Sequence, residues 1–126
     1  MNKQTLNTEN APAAIGPYSQ GVKVGNLIFT SGQLPINTQS GELVADIEGA
    51  TKQSLDNVKA ILESSGSSMD NVVKTVVFLR DMNDFAAMNA VYATYFSSNP
   101  PARSAVEVAR LPKDAIIEIE AIALAE

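Results

Sequence analysis

The sequence has no cysteine and no histidine. Without cysteine there can be no disulfide, no thiolate nucleophile and no Cys/His metal cage. Without histidine, the commonest general base at neutral pH is missing. Any catalysis must draw on Asp, Glu, Lys, Arg, Tyr, Ser or Thr, on backbone groups, or on a borrowed cofactor. No apolar run is long enough to span a bilayer. The opening Met1–Thr5 leads into no apolar core of a leader, so no secretory signal is expected and the expected compartment is the cytoplasm. Positive charge is also scarce. Nine Lys and Arg face fourteen Asp and Glu, for a formal net charge of −5, and the nine are scattered along the chain. A nucleic-acid partner is therefore not expected, although a local basic pocket stays open.

What is present suits one compact domain over residues 1–126. Apolar residues make up 45% and charged residues 18% of the sequence, enough for one core but not two. No repeat, low-complexity tract or linker interrupts it. Thr8–Gly16 is rich in Ala, Pro and Asn and reads as irregular chain. Gly21–Val24 and Leu27–Thr30 are short strand-like runs, joined by Gly25-Asn26, a two-residue hairpin signal. Asn37–Gly41 is a turn cluster.

The spacing of Thr51, Leu55, Val58 and Leu62, with Ile61 beside them, predicts a helix over Ile47–Ser65 that Gly66 stops. Val72–Leu79 is a β-branched run, expected to be a strand with both faces largely buried. Asp84–Phe96 is a second helix with Phe85, Met88, Val91, Tyr92 and Tyr95 on its apolar side. Asn99-Pro100-Pro101 ends it. Arg103–Ala109 is a strand, Leu111–Asp114 a turn, and Ile116–Leu124 the last strand.

The expected fold is therefore α+β in the order ββαβαββ, with about five strands forming a mixed sheet and two helices packed on one face. In the last strand Ile117, Ile119, Ala121 and Ala123 share one face, and Ile116, Glu118, Glu120, Ile122 and Leu124 the other. The second set is too apolar for solvent and too charged for a sealed core, so other subunits are expected to cover it.

Few residues could carry chemistry. Arg103 follows a Pro-rich loop, and its planar fork could grip a carboxylate through two parallel hydrogen bonds; it could equally be a surface or interface ion-pair partner. Glu118 lies in an apolar strand, where a raised pKa would suit it to act as a base or to orient water; an Arg or Lys across an interface is the competing explanation. Tyr18, after Gly16-Pro17, and Ser31, before Gly32, could point hydroxyls into a cleft or be ordinary turn residues. Asn89 could be an exposed helix residue, and Lys113-Asp114 looks like turn chemistry. No Gly-rich phosphate loop, no Ser/His/Asp set and no metal-like carboxylate spacing is present. The residues alone lead to an oligomeric α+β domain with a candidate carboxylate-binding Arg.

Longer stretches carry a resemblance. Ala11-Pro12-Ala13-Ala14-Ile15-Gly16-Pro17-Tyr18-Ser19-Gln20-Gly21 and Phe29-Thr30-Ser31-Gly32-Gln33-Leu34-Pro35 resemble the first two motifs of the RidA/YjgF family of imine deaminases. Asp81-Met82-Asn83-Asp84-Phe85 with Asn89 resembles its central helix. Pro101-Ala102-Arg103-Ser104-Ala105 through Asp114, and Glu118-Ile119-Glu120-Ala121, resemble its closing signature. The match runs in order over nearly the whole chain, which makes it far more specific than one short motif.

The resemblance implies a chorismate-mutase-like fold and a homotrimer with clefts between subunits. It implies hydrolysis of 2-aminoacrylate and related enamine or imine acids to 2-keto acids and ammonia, with neither metal nor cofactor. By matching positions, Arg103 would clamp the substrate carboxylate and Glu118 would orient or activate water. Backbone groups at Ala105 would hold the substrate nitrogen, and Tyr18, Ser31 and Asn89 would line the cleft. Many members have Cys where this chain has Ala105, so a thiol-based role is lost here while a backbone carbonyl survives. Two other functions compete: a regulatory trimer that binds keto acids without turnover, and the endoribonuclease or translation inhibitor of an older family label. The lack of histidine and the net acidity weigh against the last.

Overall fold

Among the described residues, six strands and two α-helices follow one another as βββαβαββ. The computed structural model describes residues 2–126; Met1, at the head of the stretch read above for a leader, lies outside them. The strands are β1 (Lys3–Leu6), β2 (Gly21–Val24), β3 (Leu27–Thr30), β4 (Val72–Leu79), β5 (Ala102–Glu107) and β6 (Ile117–Leu124). The helices are α1 (Ile47–Ser64) and α2 (Phe85–Tyr95). The α+β class stands, but the expected order ββαβαββ omitted β1. Lys3, Gln4 and Thr5 are exposed and only Leu6 is buried, so this edge strand carries no apolar alternation to reveal it.

The strands form one sheet in the order β1-β2-β3-β6-β4-β5. Every pairing is antiparallel except β4 with β5. That parallel pair needs a crossover, and α2 supplies it. The β2–β3 hairpin turns at Gly25-Asn26, with Gly25 at φ 57°. Asp46 caps α1 by accepting from the Gly49 N–H at 2.8 Å. The predicted stripe of Thr51, Leu55, Val58, Ile61 and Leu62 is buried, in one core with Ile28, Val77 and the inner face of β6. Each large aliphatic side chain sealed this way contributes roughly 1.5–3 kcal/mol. Gly66, at φ 88°, follows the helix as expected.

Ile117, Ile119, Ala121 and Ala123 are buried, and Glu118, Glu120 and Ile122 are half-buried. Ile116 departs from the expected pattern. It precedes the strand and is buried, with its carbonyl accepting from the Arg80 N–H at 3.0 Å. The expectation that β4 is buried on both faces also fails within one chain. Val72, Thr75, Val77 and Leu79 are buried, but Val73 is exposed and Val76 and Phe78 are only half-buried. Both helices lie on one side of the sheet, so the other side has no layer of its own.

Candidate active site

Arg103 sits near the start of β5, opposite Thr75 of β4, and its side chain lies against α2. One guanidinium N–H donates to Asn89 Oδ1 at 2.6 Å. The guanidinium carbon lies 4.7 Å from the centre of the Tyr92 ring and 5.4 Å from that of Phe85. Phe85, Asn89 and Tyr92 fall at i, i+4 and i+7, so one helix face presents all three. The Tyr92 hydroxyl shares a buried 2.7 Å hydrogen bond with Thr75 Oγ1. Burial pushes the Tyr92 phenol up, against smaller opposing effects of Thr75 and the Arg103 charge, and keeps it neutral.

The ion pairs among the described residues are Lys52–Asp56 and Arg110–Asp114; Arg103 belongs to neither. A half-buried guanidinium held by a neutral amide and two rings keeps its charge and most of its donors for an incoming anion. Ala105 lies two residues further along β5, opposite Val77. Because the Val108 N–H donates to Leu79 O at 2.9 Å, strand alternation turns the backbone groups of Ala105 toward the free edge of β5.

A second group of residues lines a cleft of about 600 Å³ elsewhere in the chain. Tyr18, Ser31, Gly32, Lys113 and Glu118 contribute to it, with Ile15 and Leu34 among its apolar walls. The loop carrying Tyr18 is tied down by buried Gln20, which accepts from the Thr8 N–H at 2.7 Å and donates to Pro12 O at 2.7 Å. The Ser31 hydroxyl donates to Ser19 O at 2.5 Å, so its proton braces the same loop and only its lone pairs face other partners. Burial, then the neighbouring Glu120 charge, raises the Glu118 pKa above the usual carboxylate range. A Cβ on Gly32 would lie 2.4 Å from Glu118 Oε2. The missing side chain is what gives that carboxyl room.

The structure thus gathers the sequence-predicted residues into two groups, Arg103 with Asn89, and Tyr18 with Ser31 and Glu118. The sheet register separates them. Arg103 pairs with Thr75, which faces the helices, whereas Glu118 pairs with Phe78 on the bare face. Two strand spacings and three residues put them roughly 10 Å apart in each direction of the sheet, on opposite sides. One chain cannot bring both to one small molecule.

Four contributors escaped the sequence reading. Tyr92 and Phe85 looked like ordinary core residues, although their helical spacing around Asn89 was a usable signal. Gly32 gave none. Lys113 was read as a turn residue, and it is one; it also lines the cleft. Lys113 and Asp114 have φ of 59° and 56°. Such left-handed backbone costs roughly 1–2 kcal/mol per residue. Arg110 clamps this turn with two bonds to the Asp114 carboxylate at 2.7 and 3.3 Å, and Arg80 donates to Asp114 O at 3.2 Å.

Fold and site together define a small α+β protein with a guanidinium that has no ion-pair partner among the described residues and a carboxyl of raised pKa, on opposite faces of one sheet. A family model described as Endoribonuclease L-PSP matches residues 8–125. The 2-iminobutanoate/2-iminopropanoate deaminase of Escherichia coli (strain K12) is 59% identical over 124 residues, which is 96% of this chain and 97% of that protein. The crystal structure of the YjgF gene product from E. coli is similar with a TM-score of 0.95 at 58% identity, covering 98% of this chain and 99% of that one. E. coli TdcF, solved with bound serine, gives a TM-score of 0.93 at 49% identity over 96% of this chain and 98% of that one. This chain belongs to the RidA/YjgF family, the group that model describes.

Proposed function

We propose that this chain is a hydrolytic deaminase of 2-aminoacrylate and related enamine and imine acids, releasing 2-keto acids and ammonia. The observation that carries the reading is Arg103, a half-buried guanidinium with no carboxylate partner among the described residues. The substrate's own carboxylate is the missing counter-ion, and a bidentate pair fixes both its affinity and its orientation. Water adds to the imine carbon, and Glu118 takes the proton that this water loses. That proton passes to the nitrogen to complete the carbinolamine, and the carbinolamine hydroxyl proton then follows by the same route, so that the C–N bond breaks with ammonia leaving as the C=O bond forms. A carboxyl of raised pKa suits this give and take near neutral pH. The backbone of Ala105 holds the nitrogen, Tyr18 and Ser31 line the cleft, and no cofactor takes part. In this reading Asn89 acts through Arg103 instead of touching substrate.

Residues 1–126 act as one domain, in the cytoplasm, as a homotrimer with sites between subunits. The opposite-face placement of Arg103 and Glu118 supports a shared site. Exposed Phe29, Val73, Val106 and Leu124 support burial of the bare face by sister chains. No helix among the described residues is long and apolar enough to cross a membrane. Ribonuclease activity is not part of this reading, because Lys52 and Arg110 are spent in ion pairs and the net charge repels phosphate at long range.

The test couples the protein to a serine dehydratase reaction and follows pyruvate release. Acceleration is expected; binding of pyruvate without acceleration would favour the regulatory alternative. Co-expressing Arg103→Ala and Glu118→Gln chains tests the shared site. Random mixing should restore about a quarter of parental turnover if partners combine around a threefold axis, and none if each chain serves itself.

A further inference from the structure

We propose that Tyr92, together with Phe85, is a positioning residue that aims the Arg103 guanidinium at the substrate carboxylate. The inference rests on Arg103 being the carboxylate clamp of the preceding section. An arginine side chain has many rotamers, and a fork that must meet two oxygens at once loses affinity when it wanders. Something has to hold it without consuming its donors. An acidic neighbour would hold it but would also neutralise it and compete with the substrate. An aromatic ring attracts the cation through its π face and takes none of its N–H groups. The structure supplies two such rings, at 4.7 and 5.4 Å, with Asn89 accepting a single N–H between them in sequence.

The stronger ring is itself fixed. Tyr92 is buried, its hydroxyl is bonded to Thr75 Oγ1 at 2.7 Å, and the Phe96 ring lies 4.7 Å away. Thr75 is in turn the β4 residue opposite Arg103 in the sheet register. The guanidinium, the ring beneath it and the strand beside it therefore form one closed circuit, and the ring cannot swing away without breaking a buried hydrogen bond. Nothing in the cleft chemistry requires a tyrosine here; the ring is there for the arginine.

The experiment compares the full-length parent with Tyr92→Phe, Tyr92→Leu, Phe85→Leu and Arg103→Ala. Pyruvate release gives KM and kcat, and the Arg103 Nε–H resonance, assigned by its loss in Arg103→Ala, reports the ring current. Tyr92→Phe keeps the ring and should stay within about threefold of the parental KM. Tyr92→Leu should raise KM about tenfold with a smaller change in kcat, and should move the Arg103 resonance. If Tyr92→Leu fails to fold, half-exposed Phe85→Leu takes its place, with a rise in KM of about threefold and a matching resonance shift expected. An unchanged KM and an unmoved resonance in the leucine variants that fold would overturn the proposal. Parental turnover in Arg103→Ala would instead overturn the clamp itself, while the resonance would still show whether the rings hold the side chain.

Discussion

The Arg103 group and the Glu118 group are prepared for their proposed tasks in opposite ways. Arg103 is anchored by an amide oxygen and two aromatic rings before any ligand arrives. Glu118 belongs to no ion pair among the described residues, and its carboxyl occupies space that a side chain on Gly32 would fill. The contrast follows from chemistry. A clamp must present fixed geometry, whereas a proton carrier must reach both an oxygen and a nitrogen during one turnover. Rigidity serves the first and a little free volume serves the second.

Removing the clamp should have the largest effect. Arg103→Ala is expected to lower kcat/KM by more than about 100-fold, because a charge-assisted pair is lost and the imine carbon is no longer aligned. Arg103→Lys should recover little, since a point charge cannot replace the fork. Pyruvate release measured beside the mass of the assembled particle separates loss of chemistry from loss of assembly.

Crowding the carboxyl comes next. Gly32→Ala would place a methyl 2.4 Å from Glu118 Oε2 and force the carboxyl to swing aside. The expected outcome is a fall in kcat of about tenfold with KM and melting temperature near parental, because the displaced atoms are the far end of a flexible side chain. If kcat survives, the freedom of Glu118 is irrelevant to turnover.

A smaller effect should come from Glu120. Its negative charge helps to raise the Glu118 pKa, after burial. Glu120→Gln removes that push and lowers the pKa, so the unprotonated base persists to lower pH. The acid limb of the kcat/KM profile should move down by less than about one pH unit. A downward move of the alkaline limb instead would mean that Glu118 works chiefly as an acid.

The smallest change lies outside both groups. Ser54 Oγ is buried in α1 without a hydrogen-bond partner among the described residues. Ser54→Ala should raise stability by up to about 1 kcal/mol in denaturant titration and leave both kinetic constants alone. A kinetic effect here would show that the two groups are less independent of the core than their contacts suggest.

Most of the fold was legible in the sequence because its elements are strongly periodic. The stripe through Leu55, Val58 and Leu62 and the alternation from Ile117 to Ala123 each match a buried face. β1 was not legible because an exposed edge strand needs only backbone pairing, and Lys3, Gln4 and Thr5 carry no pattern. The residue types of the candidate site came from the family motifs, but their grouping was not legible. Strand pairing decides that Arg103 shares a face with Thr75 and Glu118 with Phe78, and no local spacing encodes it. The brace between Ser31 and Ser19 was hidden for a similar reason, since it joins the end of a strand to a loop twelve residues earlier.

Placing the two reactive side chains on opposite faces of one sheet has a consequence for the life of the molecule. If the site is shared as proposed, a newly made chain carries both groups and cannot yet bring them to one substrate. Under the shared-site proposal it stays dormant until it meets its sisters, so activity in a dilute solution should fall faster than the amount of protein. Half-made or stray copies would then do no chemistry of their own.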